Sequence, residues 1–231
     1  MNNLQRIGGL SAVLFGVTLL AATILLVPPF VNMPPDAYQA ENVTARLAFA
    51  ASLGTGARAM TVTAFALQIL AAPLILPALL ALYTLLRGSQ PVHALLALAF
   101  SALGPIFLLL MYMGGFVFLA TATGFGAVGP EEQVARAAAY AAHERFSAVS
   151  EAVSWWFFGI GIVLFALAMR RAVFPRWLVL FGGILGALGA LAALGTLVAS
   201  QPVPLLALPG LLLNIWAIAI GIALYRLKPR P

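Results

Sequence analysis

The sequence predicts an all-α, polytopic membrane protein: six transmembrane helices, both termini cytoplasmic, and two longer outer loops carrying short amphipathic helices. Three observations predict it. Hydrophobic residues make up 63% of the 231-residue chain and charged residues only 8%. A soluble domain carries about 25% charged residues, so this chain could not cover a water-facing surface. The second observation is a set of six charge-free apolar runs, each near the length of about 20 residues that crosses about 30 Å of hydrocarbon. The third is the sorting of the remaining charges to two sides of those runs. A soluble enzyme, a disordered chain and a nucleic-acid-binding domain are thereby excluded. The net charge of +6 sits beside apolar runs rather than in a basic patch, and so reads as orientation charge.

The spans follow in order at about 7–27, 60–86, 91–120, 152–169, 178–200 and 205–225, in one transmembrane domain covering residues 1–231. Pro28-Pro29 is expected to stop the first span, a break that suits a helix end better than the cleavage site of a signal peptide. Arg58 and Arg87 bound the second span, and the third fades in the stretch Gly124, Gly126, Gly129. Glu151 and Arg170 bound the fourth, and Gln201-Pro202-Val203-Pro204 divides the last apolar run in two. With six crossings, Arg6, Arg87, Arg170, Arg171, Arg176, Arg226, Lys228 and Arg230 share one side with no acid. Arg46, Arg58, Arg136 and Arg145 share the other with every carboxylate: Asp36, Glu41, Glu131, Glu132, Glu144 and Glu151. The excess of positive charge on cytoplasmic loops puts both termini inside.

The outer loops are long, and loops of such length are usually structured or functional. In the first, residues 40–53 read as a short amphipathic helix. In the second, Pro130 opens a helix with Glu131-Glu132 in its first turn, where negative charge suits the dipole. That helix is expected to run unbroken into the fourth span, entering the membrane near Glu151 with Trp155 and Trp156 at the outer interface. The fifth span carries Gly182, Gly186 and Ala190 on one face, and Gly183 and Ala187 on the next. Small residues at this spacing let helix backbones approach, here within one bundle rather than across a dimer seam. Pro73, Pro77 and Pro105 are expected to kink their helices. Arg6 and Arg176 each precede a Gly-rich span, too short a likeness to establish a three-plus-three repeat.

Chemistry concentrates at the outer end of the fourth helix. Glu144, Ser147 and Glu151 share a face with Tyr140 one turn above, and His143 lies beside them. A carboxylate at Glu151's depth is costly unless paired, protonated or wet. Arg58 is its expected partner, and in that case Glu151→Gln should weaken stability. The candidate ligand-binding residues are Arg58, Tyr140, His143, Glu144 and Glu151, with the mid-span amides Gln68 and Asn214. Those amides read first as glue bonded across helices. No catalytic residue and no metal ligand is assigned. His143-Glu144 lacks the second histidine of a zinc-protease helix, because position 147 is Ser. His93 and His143 lie near opposite sides, so a bis-histidine haem is not expected. The absence of cysteine excludes disulfides and thiolate metal sites, and no cofactor is expected. No acid or base lies deep in a span, which argues against an ion-coupled pump.

The residues also carry a family resemblance. Arg6-Ile7-Gly8-Gly9-Leu10 opens the first span, and Trp156-Phe157-Phe158-Gly159 leads into a helix ending Met169-Arg170-Arg171. Phe174-Pro175-Arg176-Trp177 and a Gly-rich fifth span follow. Over nearly its whole length the chain resembles the bacterial six-helix membrane proteins grouped as DUF4386, with Phe174 where the family has Leu. The resemblance implies six helices in a bacterial inner membrane and carries over no catalytic residue.

Three functions compete. The first is a structural or accessory subunit without catalysis of its own, bound in a larger membrane complex. The second is a small transporter or a lipid- or small-molecule-binding protein using an outer polar vestibule. The third is an intramembrane enzyme with Glu144 or Glu151 as acid or base. The lipid bilayer is the expected partner in all three, and nucleic acid in none.

Overall fold

The computed structural model describes residues 3–39, 42–199 and 207–227. Eight α-helices are present among them: α1 (Asn3–Phe30), α2 (Val43–Ser52), α3 (Thr55–Ala71), α4 (Ile75–Leu86), α5 (Pro91–Ala122), α6 (Pro130–Met169), α7 (Arg176–Ala199) and α8 (Ala207–Arg226). A 3₁₀ turn over Ala72–Leu74 joins α3 to α4, so the two form one crossing. Six helices are long and apolar enough to span a membrane, as the hydropathy pattern requires. Residues 201–204, where a turn is expected, and the charges Glu41, Lys228 and Arg230 lie outside the described residues.

Each element has a local cause. Pro91 and Pro130 stand at first helical positions, where a missing N–H costs nothing. Asn42 caps α2 by accepting from the Ala45 N–H at 3.2 Å. The break in the second crossing falls at Pro73, which cannot donate to the helix ladder. There the Ser11 hydroxyl of α1 donates to the Leu74 carbonyl. Pro105, by contrast, lies inside an α5 that stays helical throughout, with the Ser154 hydroxyl of α6 donating to the adjacent Gly104 carbonyl at 2.8 Å. Pro28 and Pro29 do not end α1. The helix runs on to Phe30, because their fixed φ is already helical and Val31 donates back to Val27 at 2.9 Å.

Helix backbones meet at glycines. A Cβ on Gly9 would lie 2.8 Å from the Gly221 carbonyl of α8, and one on Gly159 would lie 2.6 Å from the Gly186 carbonyl of α7. The small-residue faces of α7 thus serve packing within the bundle. Lipid offers no hydrophobic drive to bring helices together, so close van der Waals contact must do it. Around these crossings lies the larger core, including Phe15, Ile75, Leu79, Phe158, Phe165, Leu178 and Trp216. Trp155 belongs to it as well. Far from anchoring at an interface, its indole is 5% exposed and lies over Gly189, whose missing side chain leaves the slot. Trp177, 58% exposed, is a surface indole instead.

A second, smaller core sits at the other end of α6. Helix α6 has 40 residues, about 60 Å at 1.5 Å each, twice what the hydrocarbon needs. Its first turns project as an arm. On that arm and the end of α5, helix α2 buries Val43, Leu47 and Ala50 against Phe118, Leu119, Phe125 and Ala137.

The crossings fix which charges share an end. Gly9 of α1 meets Gly221 and Tyr225 of α8, and Gly8 meets Ala81 of α4, so the start of α1 lies beside the last turns of α8 and α4. Gln90, in the amide orientation that satisfies its neighbours, accepts from Arg171 at 3.0 Å and donates to His93 Nδ1 at 3.2 Å. This joins the start of α5 to the end of α6. Arg6, Arg87, Arg170, Arg171, Arg176 and Arg226 therefore share one end with no carboxylate among the described residues. The described carboxylates gather at the opposite, acidic end.

Candidate functional site

At the acidic end, among α1, α3, α5 and α6, lies an open cavity of about 260 Å³. One stripe of α6 forms its polar wall: Tyr140, Glu144, Ser147, Ala148 and Glu151, spaced three and four residues apart and hence on one helix face. The other walls are Phe30 from α1, Phe65 from α3, and Met111, Gly114, Gly115 and Phe118 from α5. Phe118 lies 5.3 Å from the Tyr140 ring and 6.5 Å from Phe30, between ring centroids. The two glycines let α5 sit against its neighbours: a Cβ on Gly114 would strike the Ser147 hydroxyl, and one on Gly115 the Phe65 ring.

The two carboxylates have different surroundings. Glu144 receives Arg46 Nη2 of α2 at 2.6 Å, and the same guanidinium donates through Nη1 to the Gln39 carbonyl at 2.7 Å. Arg46 thereby ties the α2 cap to the α6 arm. Glu151, deeper along the stripe and half-buried, makes no hydrogen bond or ion pair with any described residue. Its expected partner is elsewhere. Arg58 donates to the Thr123 hydroxyl at the end of α5, and Arg136 donates to the Thr123 carbonyl at 2.9 Å while pairing with Glu132 at 2.6 Å. The Glu151–Arg58 pair is therefore not formed. Arg58 at the start of α3 reaches the C-terminal cap of α5 instead.

Of the seven residues singled out from the sequence, three line the cavity: Tyr140, Glu144 and Glu151. His143 stands just behind the wall, with Nε2 3.3 Å from the Ser147 hydroxyl and its ring 6.3 Å from Tyr140. Arg58, Gln68 and Asn214 are not part of the lining. Nor do the amides act as glue. Gln68 is half-buried and Asn214 is 4% exposed, and neither side chain bonds across helices among the described residues. That role falls to smaller or flatter donors: Ser11, Ser154, and the Trp216 indole, which donates to the Leu178 carbonyl at 3.3 Å. Near the bundle centre a void of about 20 Å³ lies beside Ser154 and Trp155, walled mainly by Phe15, Ile75, Leu108 and Phe158.

Sequence reasoning overlooked Arg46 and the aromatic walls. Arg46 lies 98 residues from Glu144, and only the docking of α2 reveals that they face each other. The one available signal was its place on a capped amphipathic helix. Among the described residues no group of three or more His, Cys, Asp or Glu could hold a metal ion.

A family model described as Domain of unknown function (DUF4386) matches residues 7–225. No curated protein and no solved structure matches the chain.

Proposed function

The chain belongs to the DUF4386 family, a domain of unknown function, and from that premise we propose that it is a binding protein of the bacterial inner membrane. Both termini are cytoplasmic, and the acidic-end cavity is a vestibule on the outer face that holds a small molecule or a lipid headgroup. The orientation is supported by the six described arginines gathered at one end with no carboxylate. The binding role rests on a single observation, the cavity of about 260 Å³ that joins a polar stripe to four aromatic rings. Ligand sites combine an apolar lining with a few convergent polar groups in this way.

The open cavity at the acidic end is what favours binding over an accessory role. Of the two carboxylates that an intramembrane enzyme could use as acid or base, Glu144 is engaged by Arg46, which favours the binding reading. Native mass spectrometry after mild-detergent purification tests the reading. A small molecule or lipid should be retained by the parent and lost from Ala148→Phe, which fills the cavity. Equal retention by both, or copurification with a stoichiometric protein partner and no ligand, would return the assignment to an accessory subunit.

A further inference from the structure

The vestibule has a charge character that its walls determine. Its lining holds two carboxylates and no cation. Arg46 approaches Glu144 from the α2 side at 2.6 Å and compensates that one charge. Glu151 is left in the cavity without a hydrogen bond or ion pair from any described residue. An isolated carboxylate in a partly apolar cavity is costly, and a bound cation would relieve that cost. The rest of the wall suits the same guest. Phe30, Phe65, Phe118 and Tyr140 line it with aromatic rings, a side-chain type that attracts ammonium groups that have shed their water. Met111 adds polarizable, adaptable surface. Among the described residues no three His, Cys, Asp or Glu converge here to hold a metal ion. An anion would meet Glu151 and no free positive group in the lining.

Building on the vestibule reading, we infer that the ligand is a small organic cation: a protonated amine or quaternary ammonium group on an apolar body. At roughly 30 Å³ per water-sized unit the cavity admits on the order of ten non-hydrogen atoms. The ammonium group sits toward Glu151 and the apolar body lies among the rings. A free amine and the amine headgroup of a lipid share this chemistry.

The chain contains no cysteine, so a single introduced thiol reports cleanly. Ala148→Cys places one in the vestibule wall, and Val134→Cys, at a position 68% exposed on the α6 arm, serves as reference. The protein is reconstituted in phosphatidylglycerol vesicles, and each thiol is reacted with trimethylammonium-ethyl or sulfonato-ethyl methanethiosulfonate. The cationic reagent should be favoured about tenfold more at position 148 than at 134, and Glu151→Gln should erase that excess. Benzyltrimethylammonium should slow labelling at 148, while benzenesulfonate and neutral N-benzylacetamide should not. Protection by added phosphatidylethanolamine alone would identify the lipid headgroup as the source; protection by the soluble cation alone would identify a free amine. Equal reagent preference at both positions, or protection by benzenesulfonate, overturns the cation inference and leaves the vestibule standing. If 134 reacts and 148 reacts with neither reagent, the vestibule falls with it. The reagent ratio and the protection are read on Ala148→Cys alone, so the test survives a Glu151→Gln variant that fails to fold.

Discussion

The two ends of this molecule are held together by different physics. Towards the basic end, backbones touch: Gly9 meets Gly221, and Gly159 meets Gly186 in mid-bundle. In hydrocarbon such contact is the main source of helix association. At the acidic end, Val43 and Leu47 of α2 pack on Phe118 and Phe125 at the end of α5 and on Ala137 of the α6 arm, a small core of the kind water drives. Between these regimes the helices are neither in backbone contact nor fully covered, and the cavity lies there. There Gly114 and Gly115 bring α5 close to Ser147 of α6 and to Phe65 of α3, and the rings of Phe30, Phe65 and Phe118 line the space that remains.

The largest expected effect is at a glycine crossing. Gly159→Leu would force a branched side chain into the Gly186 backbone 2.6 Å away. Overpacking costs about 1–3 kcal/mol even where neighbours can yield, and a backbone cannot. Loss of a monodisperse peak in size-exclusion chromatography is expected, and a parent-like elution profile would break the comparison. Next is Leu47→Ala in the water-driven core, where the residue is fully buried. About 2–3 kcal/mol should be lost there, seen as faster hydrogen exchange in α2 with the spans unchanged. Exchange that rose equally in α7 would mean that the two regimes are one.

Arg46→Ala comes third. Its ion pair is partly exposed, with side chains 13% and 31% accessible, so about 1 kcal/mol is at stake. A double-mutant cycle with Glu144→Ala should show coupling of that order, and zero coupling would remove Arg46 as the tie between cap and arm. The smallest effect is Glu151→Gln. With no ion pair to lose, its melting temperature in detergent should equal or slightly exceed the parent's. A clear drop would point to a partner for Glu151 that the geometry does not provide.

Much of this architecture was legible from residue order alone. Hydropathy sufficed to expect six helices long and apolar enough to span a membrane, because a span must be apolar over its whole length. The α6 stripe of Tyr140, Glu144, Ser147 and Glu151 followed from helical spacing within one continuous helix. What required the fold was long-range pairing. Whether Glu151 meets Arg58 or Glu144 meets Arg46 depends on how α2 and α3 dock, and helical periodicity says nothing of that. Trp155 illustrates the same limit. Its type suggests an interface, while its burial was decided by Gly189, 34 residues on, on another helix.

The central claim is that the acidic end carries an open vestibule on the outer face. Membrane-impermeant thiol labelling of Ala148→Cys in intact bacterial cells, set beside Gly88→Cys at the basic end, tests it most directly. The account predicts that Ala148→Cys reacts from outside, whereas Gly88→Cys reacts only after the cells are permeabilised. The reverse pattern, or an Ala148→Cys that stays unreactive in opened cells, would contradict it.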